Sequence, residues 1–165
     1  MTAQIAESLV YRKKRLSLTS TPLDQYLRIA DIKLDVSVFC TALWRGYVGS
    51  WKIAHGRLYL AGLEGTLADG SELTLEHLFP GHPDRVFAHW FTGDLCAPQG
   101  KLLKYIHAGF ASIYERELIL HVEQGVVTAE EVRQNGLAPS EASGPEGYRV
   151  AGYTMFPRPK RTGQP

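Results

Sequence analysis

RGYVGSWKIAHGRLYLAGLEG, residues 45–65, alternates apolar and polar positions on both sides of His55-Gly56, the pattern of two strands joined by a two-residue turn. Gly56 supplies the positive φ that such a turn needs. The register follows from the turn. Ile53 faces Leu58 and Trp51 faces Leu60 on one side, then Gly49 faces Gly62, and on the opposite side Gly46 faces Gly65. Glycine weakens a strand and packs nothing, so two opposed pairs predict a sharp bend, a barrel corner or a place where another group comes close to the backbone.

Outward from this hairpin, turn signals recur at short intervals. Residues 8–18, SLVYRKKRLSL, read as two short strands about the basic cluster Arg12, Lys13, Lys14 and Arg15. Thr21 and Pro22 open a short helix through TPLDQYLRI, with Thr21 as the N-cap and Pro22 at the first helical position. Asp69-Gly70 marks a turn between two further short strands, and LEHLFPGHPDRV is a brief helical turn ended by Pro80, Gly81 and Pro83. Pro98-Gln99-Gly100 predicts a second hairpin, with Asp94 facing Lys104 and Cys96 facing Leu102. Tyr114–Gly125 continues the meander as a strand. Thr128 and Glu131 have the spacing of a capping box, which predicts a short helix stopped by Asn135-Gly136.

The fold class is therefore mainly β: an antiparallel meander closing into a barrel or strongly bent sandwich, with one or two short helices. Residues 1–136 form a single β-rich domain, and residues 137–165 are a Pro/Gly-rich, poorly ordered tail with Tyr153, Met155 and Phe156 as its apolar contacts.

The 165 residues suffice for one core, and 18 basic against 17 acidic side chains leave a formal charge of +1 with no overall field favouring nucleic acid or an acidic membrane. Cys40 and Cys96 lack the number and spacing of a disulfide framework or zinc site and are read as reduced core residues. No run approaches the length of a membrane span and the N-terminus lacks an apolar signal-peptide core, so a cytoplasmic protein is expected.

No phosphate-binding loop, dinucleotide fingerprint, HExxH, paired CxxC or GxSxG is present, so no catalytic residue and no cofactor is assigned, and catalysis is left open. In the register of the Pro98-Gln99-Gly100 hairpin, His89 and His107 lie on one face, on a diagonal about 7–8 Å apart at the backbone. With Tyr105 and Arg116 they outline a ligand pocket at a barrel mouth, able to hold a carboxylate or phosphate or to place a histidine as general base. The competing structural account is that these groups hydrogen-bond one another and close the core. A metal site is not expected, because two histidines without a carboxylate on the same face fall short of a three-ligand set. His121 falls on the opposite face with Glu115, Glu117 and Glu123, which reads as a solvated sheet face.

Trp44, Arg45, Tyr47 and Tyr59 are the residues for a partner surface, being types enriched at protein interfaces. Pro22-Leu23 before Tyr26-Leu27, Trp44-Arg45-Gly46-Tyr47 with Trp51-Lys52-Ile53, Leu58-Tyr59-Leu60, Trp90-Phe91-Thr92-Gly93 and Tyr105-Ile106-His107 together resemble a set of uncharacterised bacterial proteins of similar length. The resemblance covers roughly residues 8–127 and implies one compact domain of bacterial cytosolic origin, without an activity or a catalytic residue.

Three functions are consistent with these features. The first is a non-enzymatic binding module, of inhibitor or immunity type, for a protein partner. The second is a small-molecule-binding β-barrel or enzyme using the His/Tyr/Arg pocket. The third is nucleic-acid binding through Arg12–Arg15 and Lys160-Arg161, which is disfavoured because no aromatic is interleaved with the charges.

Overall fold

The computed structural model describes residues 2–137. In chain order the elements are β1 (Glu7–Tyr11), β2 (Lys14–Leu18), α1 (Pro22–Ile29), a 3-10 turn (Thr41–Leu43), β3 (Tyr47–Ala54), β4 (Arg57–Thr66), β5 (Glu72–Leu73), α2 (Leu75–Leu78), β6 (Val86–Phe87), β7 (Gly93–Lys104), β8 (Ile113–Glu123) and β9 (Val126–Gln134). Buried apolar positions alternate with more exposed ones along β3, β4 and the first half of β7, whereas β9 is exposed along nearly its whole length. The strands form one mixed sheet in the order β2-β1-β3-β4-β9-β8-β7, with β5 and β6 also paired to β4. All named pairings are antiparallel except β1 with β3.

The sheet curls but does not close. Between β4 and β9 the ladder is reduced to the single pair Arg57 and Val126. At the other seam, the Thr19 N–H donates to the Cys96 carbonyl at 2.9 Å, and Ser20 Oγ both donates to the Asp94 carbonyl and accepts from the Cys96 N–H. Of the two expected forms, a barrel or a strongly bent sandwich, the closed barrel does not form; the sheet is an open curl whose edges are tied by individual hydrogen bonds. Its core combines Leu9, Trp51, Leu58 and Leu60 from one half with Leu95, Leu118, Leu120 and Val122 from the other.

The central hairpin keeps the predicted pairs Ile53 with Leu58 and Trp51 with Leu60, then shifts by one residue. Ser50 pairs with Gly62 and Gly49 with Leu63, so Ala61 is the extra residue of a β-bulge, and the predicted glycine pairs do not form. The turn at Arg12-Lys13 has φ of 50° and 64°, the conformation of a two-residue hairpin made without glycine. Pro22 begins α1 as expected, although Thr21 makes no side-chain cap.

Two expected elements are different. Pro98-Gln99-Gly100 lies inside β7 rather than at a hairpin tip, and β7 pairs with β8 so that Asp94 faces His121 and Cys96 faces Ile119. Gly100, with φ of 80°, occupies a register shift instead of a turn, and the neighbouring Lys101 N–H is held by the Glu115 carboxylate at 2.9 Å. Thr128–Gln134 is strand, because Gln124-Gly125 makes a positive-φ turn that folds β9 back along β8. Backbone pairing with an existing strand overrides a weak local helix signal. Cys40 is exposed rather than core, while Cys96 is half-buried. Among the described residues no helix is long and apolar enough to cross a membrane. The tail from residue 138, with Tyr153, Met155, Phe156, Lys160 and Arg161, lies outside the described residues.

Candidate functional site

The segment preceding β3 carries two large aromatics into solvent: Phe39 is 79% exposed and Trp44 is 66% exposed. A folded chain gains nothing by displaying such side chains, yet the backbone from Thr41 to Trp44 is well tied. The Ile5 N–H donates to the Ala42 carbonyl at 2.8 Å, the Trp44 N–H to Gln4 Oε1 at 3.0 Å, and Gln4 Nε2 to the Thr41 carbonyl at 2.9 Å. Gly46, with φ of 72°, then turns the chain into β3 against Val36; a Cβ there would lie 2.3 Å from Val36 Cγ2.

Under this turn lies a buried charged pair. Glu7 has the same strand parity as Leu9 and is 2% exposed. Its carboxylate accepts from Arg45 Nε at 3.2 Å, from the Trp51 indole N–H at 2.5 Å and from the Gly49 backbone N–H. Arg45 Nη2 also donates to the Ile5 carbonyl at 2.8 Å, and its guanidinium lies over the Tyr47 and Phe110 rings. Burial pushes the Glu7 carboxyl up to about 7, against the opposing pull of Trp51, Arg45 and Gly49. Desolvation and a short hydrogen bond to Asp24 raise the Tyr47 phenol far above its usual range, so it donates at every physiological pH. One polar chain therefore joins α1, β1, β3 and the Trp44 turn.

The close approach expected of the hairpin glycines is realised at Gly49, where a Cβ would sit 2.8 Å from Glu7 Oε2 and 2.7 Å from Trp51 Nε1. Sequence reasoning does not single out Glu7, although it carries a signal: a carboxylate in step with the core residue Leu9 on the same strand.

The residues expected at a partner surface separate. Trp44 is on the surface, but Tyr47 is 1% exposed and Arg45 is turned inward by Glu7, so neither belongs to it. Tyr59 is on the outer face of β4, half-buried beneath the Arg85 guanidinium at 4.5 Å from its ring centroid.

The four residues of the expected pocket are divided as well. Tyr105 and His107 lie in the connection after β7 and hydrogen-bond each other, hydroxyl to Nδ1, at 3.0 Å. His89 precedes β7 and lies tilted to the Phe87 ring and edge-on to Trp90, and Arg116 on β8 pairs with Gln99 and with Gln134, the last residue of β9. The register that set His89 diagonal to His107 is absent because no turn forms at Gly100. On the outer face His121 is held between Asp94 Oδ1 at 2.6 Å and Glu131 Oε2 at 3.6 Å, and the hydrogen bond to Asp94 raises the imidazole above its usual range. Among the described residues no three His, Cys, Asp or Glu side chains are grouped as a metal centre requires.

No protein-family model matches the chain, and no curated protein or solved structure is significantly similar to it.

Proposed function

We propose that the protein is a non-catalytic binding domain that docks a different protein through the Phe39–Trp44 turn. The observation that carries this is the 66% exposure of Trp44 on a turn fixed by hydrogen bonds to Gln4 and Ile5, with Phe39, 79% exposed, a few residues before it. Aromatic side chains carried on a backbone that is already held leave less entropy to lose on binding, and such residues dominate interface energetics. Such a domain acts by covering a partner's surface, as an inhibitor does, and needs no catalytic set.

The test is photo-crosslinking from position 39 in the cell that makes the protein, with adducts identified by mass spectrometry. A single stoichiometric protein adduct, weakened at least tenfold by Trp44→Ala but unchanged by Lys52→Glu on another face, is the expected result. An adduct only to a second copy of the chain, or one unaffected by Trp44→Ala, overturns the proposal.

A further inference from the structure

A different face of the sheet brings together charges and rings that are distant in sequence. Arg15 pairs with Val10, Val10 with Lys52, Lys52 with Tyr59, and Tyr59 with Phe87, so these side chains form one row across β2, β1, β3, β4 and β6. The row is on the outer surface, because the alternate residues Leu9, Trp51, Leu58 and Leu60 fill the core. Arg85 lies over the Tyr59 ring at 4.5 Å, Arg57 over the Phe87 ring at 5.5 Å, and the two rings are 5.7 Å apart. Arg15, Lys52, Arg57 and Arg85 are all exposed, and among the described residues none of the four is in an ion pair. Acidic residues on or beside these elements include Glu123, across Val126 from Arg57, Glu64, near the far end of β4, and exposed Asp84, next to Arg85 in sequence.

We propose that this row of interleaved cations and rings binds single-stranded nucleic acid. Four unpaired cations suit a phosphate backbone, and bases stack on aromatic rings and on guanidinium planes alike. A ligand recognised by charge alone would not require the two rings. A duplex keeps its bases stacked within itself and cannot use them. Four inter-strand steps of about 4.8 Å extend the row over roughly 19 Å, enough for a short run of nucleotides. The rings come from β4 and β6, and of the Arg12–Arg15 segment only Arg15 joins the row. The surface is separate from the Trp44 turn, and the two proposals stand independently.

Fluorescence anisotropy of labelled dT15 and U15 with the full chain, from 20 to 200 mM KCl, tests this. The expected result is binding whose logarithm falls against log salt with a slope of about −3, as four phosphate contacts on a single strand imply. Arg57→Glu/Arg85→Glu weakens it at least tenfold, Tyr59→Ala several-fold, and a duplex of equal length binds at least tenfold less tightly. Lys52→Glu, at an exposed position opposite Tyr59, weakens binding several-fold, and Trp44→Ala leaves binding unchanged. No binding at 50 mM KCl overturns the proposal. So does binding that survives these variants but is lost with Arg12→Glu/Lys13→Glu or with removal of residues 157–165, and so does equal affinity for duplex.

Discussion

The Trp51 indole N–H reaches the buried carboxylate of Glu7 at 2.5 Å in the space that Gly49 leaves by having no side chain. This contact joins the first strand of the sheet to the third, and Arg45 extends it to the turn that displays Trp44. A buried charge held by three donors is stable only while each remains in place.

Glu7→Gln is expected to remove a pH dependence. Because the folded carboxyl titrates near 7 against its ordinary 4.5, the folded chain holds more protons than the unfolded chain between these values. Its contribution is fully present below about pH 4.5 and is lost as pH rises through 7, a change on the order of 3 kcal/mol. Urea unfolding at pH 4.5, 6 and 8 should show this decline in the native chain and a flatter profile in the variant. Equal profiles would contradict the assignment.

Arg45→Met leaves the Glu7 carboxylate buried without its cation, so a loss of about 3 kcal/mol is expected at pH 8. At pH 5 the carboxyl is protonated and the loss should be clearly smaller. The comparison requires only denaturation midpoints at the two pH values.

Gly49→Ala should cost about 2 kcal/mol, since the new methyl meets Glu7 Oε2 at 2.8 Å and the Trp51 nitrogen at 2.7 Å. Gly62→Ala is the control. Its methyl would lie 3.4 Å from Ser50 Cβ, a contact relieved by a small shift, and the thermal midpoint should change far less. Similar losses for the two variants would show that strand glycine, not the carboxylate, sets the cost.

His121 should titrate above the usual histidine range in an NMR pH series, because Asp94 and Glu131 both stabilise its protonated ring. Asp94→Asn should move it downward. Any contribution of this pair to stability is present below the ordinary histidine pKa and fades as pH rises through the raised one.

Local chemistry was legible where a few adjacent residues are sufficient. The His55-Gly56 turn and the first two pairs beyond it, the paired strands around Arg12-Lys13, the Pro22 helix start and the Asp69-Gly70 turn were all readable. Each is determined by φ preference or by a period that repeats within one element. The site was less legible. Trp44 could be named as a surface residue, but Arg45 and Tyr47 beside it are directed inward by Glu7 and Asp24, partners 38 and 23 residues away.

By itself, then, the sequence determined a chain of short strands, their inward apolar parity and the positions of most turns. Tertiary structure alone decided that Gly100 bends a strand instead of ending it, that Thr128–Gln134 pairs with β8 instead of coiling, and that β1 lies parallel to β3. A glycine permits positive φ in a bulge and in a turn equally, and a short polar segment is near neutral between strand and helix. The choice is made by which backbone stands ready to complete the hydrogen bonds, and that backbone belongs to another part of the chain.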